Sequence, residues 1–154
     1  MRKTVFLFLL SVILVSCEKN IFFQENKKIE GEKWLMNQPC EFTVGVSDIH
    51  RNYDFYLNIR NTADYKYSNL YLFLHTYYPG GTTSVDTLEC TLAQPDGKWI
   101  GTGFGRIKYQ QIPIKQNVRF PRAGTYRFQI FQAMRGDVEG ISDIGLRIEN
   151  AKPN

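Results

Sequence analysis

The chain reads as all-β: an antiparallel β-sandwich with Greek-key or jelly-roll connections and about nine short strands. Two observations point there. Apolar residues recur at every second position in short runs, and clusters of turn-forming residues separate the runs at intervals of roughly ten residues. Aromatic residues make up 14% of the chain, nine of them tyrosines, a bias toward side chains that fill a pleated, half-buried surface. No segment has a convincing helical period beyond the apolar start. A closed barrel is the alternative architecture.

That start is a secretory signal. Arg2 and Lys3 open it, Thr4 to Val15 is almost unbroken apolar sequence, and small Ser16 stands directly before Cys17. The apolar core is too short to span a bilayer. Leu14-Val15-Ser16-Cys17 is the pattern of a bacterial lipobox, which makes residues 1–16 a signal peptide. Cleavage before Cys17 would leave its thiol to carry a diacylglycerol and its amine to carry a further acyl chain such as palmitate. Residues 17–33 then read as a lipidated N-terminus and charged tether, with Phe22 and Phe23 docking onto the domain. The packed domain is expected over residues 34–150, followed by a tail at 151–154.

Period two begins at Cys40, where Phe42, Val44 and Val46 share a face. Tyr53, Phe55, Leu57 and Ile59 do the same, with Asp54, Asn58 and Arg60 opposite. Leu70 to Tyr78 is apolar on both faces and is expected to be a central strand covered on both sides. Pro79-Gly80-Gly81 turns into Ser84 to Leu92, with Leu88, Cys90 and Leu92 inward. Pro95-Asp96-Gly97 is a turn in which proline pre-sets φ and glycine takes the positive φ. Lys98 to Ile100 and Phe104 to Ile112 flank a glycine-rich corner, and Asn117 to Phe120 is short. Thr125 to Gln132 alternates Tyr126, Phe128 and Ile130 with Arg127 and Gln129. Ile144 to Ile148 closes the chain with Arg147 and Glu149 outward.

The formal charge is +4 and falls to +2 once Arg2 and Lys3 leave with the signal. The remaining basic residues are scattered among acidic ones, so there is no nucleic-acid footprint. Cys40 and Cys90 would meet an oxidising compartment, where a disulfide is allowed, yet each also sits in an apolar run that suits a buried thiol. Both readings stand, because spacing does not supply the geometry.

Catalytic patterns are weak. Gly101-Thr102-Gly103-Phe104-Gly105 lacks the following helix and the lysine of a phosphate loop, and reads as a bulged hairpin corner. His50 and His75 have no cysteine or second histidine at metal-ligand spacing, so no metal or cofactor is expected. No G-x-S-x-G elbow occurs. Asp143 with Glu139, and Asp86 with Glu89, are the paired carboxylates that can be imagined. Acids near strand ends are more often solvated, and the reading is a non-enzyme. Tyr65, Tyr67, Tyr71, Tyr77 and Tyr78 form a cluster. Tyr71 is expected to be packed between layers. Tyr65, Tyr67 and Tyr78 are left as candidates for a sugar or protein platform.

Ordered motifs run through the whole chain: Asn58-Ile59-Arg60-Asn61, Tyr67-Ser68-Asn69-Leu70-Tyr71-Leu72-Phe73, Asp86-Thr87, Gly97-Lys98-Trp99-Ile100-Gly101 and Gly103-Phe104-Gly105. They continue in Gln132-Ala133-Met134-Arg135 and in Gly140-Ile141-Ser142-Asp143-Ile144-Gly145-Leu146-Arg147-Ile148-Glu149. On these the chain resembles the GldH family of gliding-motility lipoproteins of the Bacteroidetes. The resemblance implies a lipid-anchored cell-envelope protein, in the outer membrane, supporting gliding motility or type IX protein secretion through contacts with other envelope proteins. It carries over no catalytic residue, only Cys17. A surface glycan- or ligand-binding lipoprotein is the alternative. Gly140, Ser142 and Asp143 are expected to form a loop entering the last strand, too polar to be held by core packing and therefore a candidate partner-binding site.

Overall fold

The computed structural model describes residues 20–152, so the signal peptide expected over residues 1–16 and Cys17 lie outside the described residues. Among the described residues there are ten strands: β1 Ile21–Lys28, β2 Lys33–Trp34, β3 Cys40–Val46, β4 Tyr53–Thr62, β5 Asn69–Tyr77, β6 Thr83–Thr91, β7 Ile107–Val118, β8 Gly124–Gln132, β9 Val138–Glu139 and β10 Ile141–Asn150. A 3₁₀ turn, Glu30–Glu32, joins β1 to β2. Strict alternation makes the strands: Cys40–Val46 is buried at every second residue from its first, so one face of the pleat leaves water and the other keeps it.

Eight strands form two antiparallel sheets, ordered β1-β10-β4-β7 and β3-β8-β5-β6, and β2 with β9 adds a small ribbon. The pairing is nested. The first long strand pairs with the last, β3 with β8, β4 with β7, and β5 with β6. That is a long hairpin rolled over on itself, the jelly-roll connection. Neither sheet closes, so the molecule is a sandwich rather than a barrel.

The core lies between the sheets. Phe55, Leu57, Ile59, Ile144, Leu146 and Ile148 from the first sheet meet Phe42, Val44, Leu70, Leu72, Leu74, Phe128 and Ile130 from the second, all buried. At one end, the base, a ring stack seals the layers: Phe22 lies 4.8 Å from Tyr53, Tyr53 lies 5.1 Å from Phe120, and Phe120 lies 4.7 Å from Tyr126. Register places Asn150 and Val118 beside Tyr53 at this end. The 3₁₀ turn, the β2–β9 ribbon and the glycine-rich corner lie at the other end, the apex.

Several expectations change. Residues 21–28 are not tether: β1 pairs along its length with β10, and Phe22 and Phe23 pack against the core. Lys98 to Ile100 is a single bridge, Ala93 to Trp99, rather than a strand. The strand expected from Phe104 begins at Ile107 and runs unbroken to Val118, absorbing the start of the short Asn117 element. β5 is central in its sheet, but its outer face is open: Tyr71 and Phe73 are 38% and 40% exposed. Tyr71 is therefore not packed between layers.

Both cysteines are buried and unpaired. Cys40 lies on β3 and Cys90 on β6, the two opposite edges of one sheet. Three strand spacings of about 4.8 Å separate those edges, far beyond the roughly 7 Å between Cα atoms that a disulfide tolerates.

Candidate functional site

Of the three residues expected to form a partner-binding loop, Ser142 and Asp143 lie within β10 and Gly140 directly precedes it. Ile141 already belongs to β10, and a register shift between Ile141 and Asp143 marks a bulge. Gly140 is buried at φ +89°, with its N–H donated to the Glu32 carbonyl at 2.8 Å and its carbonyl accepting from Thr62 N–H at 2.8 Å. Ser142 is 8% exposed. Its carbonyl accepts from Ile29 N–H at 2.8 Å, and its hydroxyl donates to the Asp143 carboxylate. Asp143 alone of the three reaches solvent, with Arg60 at 4.0 Å. The polarity that suggested a loop is consumed by backbone pairing at the bulge.

Beside it lies an ion cluster that sequence reading missed. Arg106, in the turn before β7, donates through both terminal nitrogens to the Glu32 carboxylate, 2.8 Å for Nη1, and through Nε to Asp64 at 3.2 Å. The guanidinium holds the Glu32 carboxyl below its usual range. The cluster ties three apex segments together, the 3₁₀ turn, the β4–β5 loop and the β6–β7 loop. Its members stand 74 and 42 residues apart in sequence, so no local pattern announces it.

The outer face of the β3-β8-β5-β6 sheet gathers several exposed apolar side chains. Along β5 the outward side chains are Tyr71, Phe73, His75 and Tyr77, between buried Leu70, Leu72, Leu74 and Thr76. Phe131 pairs beside Phe73 on one flank and Thr87 on the other. The His75 and Phe131 rings lie 4.9 Å apart. Val85 is 57% exposed and Met36 49%. A shallow depression of about 280 Å³ is lined by Met36, Phe73, His75, Phe131, Ala133 and Met134. Towards the base the face turns polar, where the Arg127 guanidinium sits 4.2 Å over the Tyr77 ring and 3.6 Å from Glu41. Exposed aromatic and methionine side chains gathered on one sheet face are what a binding surface offers, because such rings bury much area and thioethers adapt in shape.

The other sheet shows the contrast. Its outer face is more polar, with Ile107 and Tyr109 exposed on β7, and is internally bonded: Asn58, 4% exposed, accepts from Tyr109 hydroxyl and from Gln111 Nε2, each at 3.1 Å. The expected tyrosine cluster divides among different places. Tyr65 is buried and donates to the Asn69 carbonyl at 2.6 Å, Tyr67 leans on it from outside, and Tyr78 packs on Tyr126. Of the imagined carboxylate pairs, Asp86 bonds Lys115 while Glu89 takes the Asn69 amide. An odd spacing along β6 sends the two to opposite faces. Among the described residues no three His, Cys, Asp or Glu side chains gather as a metal site.

The architecture thus defines a class: an antiparallel jelly-roll sandwich with one polar outer face and one aromatic one. The chain belongs to the GldH lipoprotein family, whose model matches residues 21–148, from the first residue of β1 into the strand that pairs with it. It is 40% identical to a gliding motility lipoprotein GldH homolog of Christiangramia forsetii over 96% of both chains. It is 36% identical to the gliding motility lipoprotein GldH of Flavobacterium johnsoniae over 93% of both.

Proposed function

We propose that this protein is a lipid-anchored, non-enzymatic component of the cell envelope, probing its surroundings through the aromatic face of the β3-β8-β5-β6 sheet to bind another envelope protein of the gliding or type IX secretion apparatus. Cys17 carries the lipid, and the outer membrane is its location. Kinship with gliding motility lipoproteins supports the setting, and the lipobox supports the anchor. The contact reading is carried by one observation: Tyr71, Phe73, Val85 and Met36 stay exposed on a sandwich whose core is already complete. Jelly rolls serve lectins and capsids alike, so the fold alone does not select a partner.

The test is Phe73→Glu, which puts a charge at the centre of the face without touching the core. Its melting temperature should stay within about 2 °C of the parent, while co-purification of envelope proteins and secretion of a reporter cargo should fall. Normal secretion with the charged face removes it from the contact. Cys17→Ser should abolish labelling by a radioactive fatty acid and release the chain from outer-membrane fractions, and a labelled, sedimenting variant refutes the anchor. Neighbouring Tyr71 and Phe73 rings also suit a sugar. Oligosaccharide binding that Phe73→Glu abolishes, with secretion intact, selects that reading instead.

A further inference from the structure

The base carries a cavity of about 350 Å³ lined by His50, Arg51, Asn52, Asn117, Arg119 and Lys152, together with Asn150 and Ala151. No carboxylate lines it. Asn52 organises the cations: its Oδ1 accepts from Arg119 Nε at 2.6 Å, and its Nδ2 donates to Asn117 Oδ1 at 2.6 Å. Among the described residues neither Arg119 nor Lys152 has a carboxylate partner, whereas Arg51 is paired with Asp48 at 2.9 Å. Two other acids lie nearby, lining an adjoining cavity that shares Asn117, Asn150, Ala151 and Lys152: Asp54 accepts the Asn117 N–H at 2.8 Å, and Glu149 is paired with Arg147 at 2.5 Å. Arg119 also borders a second cavity of about 270 Å³ between the sheets, whose walls include Phe55, Leu74, Val118 and Phe120. Cation and apolar cleft are therefore adjacent, as phosphate and acyl chain are in a phospholipid.

Position makes this arrangement meaningful. Asn150 N–H donates to the Asn20 carbonyl at 2.8 Å, so the described chain starts at the rim of the basic cavity. Cys17 precedes Asn20 by three residues, a reach of at most about 11 Å. An acyl anchor there holds the base against the bilayer surface.

We propose that the base is a membrane-docking surface, with Arg119, Lys152 and Arg51 receiving the phosphate of an anionic phospholipid headgroup beside the anchor. The inference rests on acylation of Cys17 for its orientation. It goes beyond the contact reading, because it concerns the end of the sandwich rather than the aromatic face. The diacylglycerol and further acyl chain expected on Cys17 suffice for stable attachment, so the basic surface adds orientation and a preference for anionic lipid rather than the anchoring itself.

Vesicle sedimentation tests it with a chain starting at Cys17→Ser, which keeps the complete sandwich and carries no lipid. Binding to vesicles of phosphatidylcholine with about one-third phosphatidylglycerol should exceed binding to phosphatidylcholine alone and weaken with salt. Lys152→Glu should weaken it by about five-fold or more, and Arg119→Gln by about five-fold. Lys98→Glu, the same charge change at the apex, should leave it within two-fold, about the noise expected of a distant charge beyond the screening length. Lys152 is exposed and bonds to nothing among the described residues, so its variant folds even if Arg119→Gln does not. No preference for anionic vesicles, or equal losses from Lys98→Glu and Lys152→Glu, overturns the proposal. Displacement by millimolar inorganic phosphate at constant ionic strength also overturns it, in favour of a soluble anion. Fatty-acid labelling reads the anchor separately: unlabelled wild-type protein that still binds anionic vesicles defeats the anchor and spares the docking surface.

Discussion

Gly140 holds φ at +89°, and a Cβ built on it would meet the Tyr65 backbone nitrogen at 2.5 Å. The next atoms it would meet are Tyr65 Cα at 2.7 Å and Cβ at 3.0 Å, all fixed by the main chain and unable to swing aside. Gly140→Ala should cost about 2–4 kcal/mol in chemical denaturation, combining strained backbone with a clash. Gly136→Ala, also at positive φ (+111°) but with open space around it, should cost about 1–2 kcal/mol. Equal losses would show that the close approach at Tyr65 is unimportant. The thiols supply a second residue-scale expectation. Burial pushes Cys40 and Cys90 up to about 12 from an ordinary 9.0, and it raises the Tyr65 hydroxyl as well. Above pH 9 the unfolded chain releases protons that the folded chain keeps, so the unfolded state binds fewer and stability falls as pH rises towards 12. Melting temperatures should decline over that window, and a thiol reagent at pH 8 should react only after denaturant is added. Rapid native labelling of two thiols would contradict their burial.

At the scale of elements, β1 decides how much of the N-terminal segment belongs to the fold. Its ladder to β10 runs from Ile21 to Lys28, and Gly145 of β10 leaves room for the Asn26 amide, which stands where a Cβ would be. Removing residues 18–28 would strip that ladder and the Phe22 and Phe23 packing. Each lost hydrogen bond costs about 1 kcal/mol, against a total stability of about 5–15 kcal/mol for a domain. The shortened chain should therefore fail to give a cooperative melt and should aggregate through the bared β10 edge. An unchanged melt would restore the tether reading. The strands of the nested hairpin were legible wherever alternation was clean, as in Phe42-Thr43-Val44. β1 was not, because Glu25 and Lys27 take the core-side positions at a sheet edge where their charges still reach water. The Gly140–Asp143 bulge misled for a related reason: its polar residues satisfy backbone groups that only tertiary pairing brings near. The aromatic face was legible as residues but not as a surface, since a run apolar on both faces does not say which face a second layer covers.

For the molecule as a whole, the nested hairpin sets a direction. The chain start, Asn150 and the basic cavity share the base, while Glu32, Arg106 and the corner bearing Phe104 share the apex. Phe104 is fully exposed there. Strands of nine or ten residues separate the two ends, which at about 3.3 Å per residue is about 30 Å, comparable with the hydrocarbon thickness of a bilayer. With the proposed anchor at Cys17, the base would stay at the lipid surface and the apex, with the upper half of the aromatic face, would stand clear of it. The buried native thiols allow this to be measured directly, because a cysteine introduced at position 104 or 152 would be the reactive one. A fluorophore on Lys152→Cys of the acylated protein in vesicles should be quenched by nitroxide-headgroup lipid, and the same fluorophore on Phe104→Cys should not, since such quenching reaches only about one headgroup layer against a separation of about 30 Å. Quenching at position 104 with none at 152 would invert the molecule on the membrane. Equal quenching at both would lay the sandwich on its side and bury the face proposed for partners against lipid.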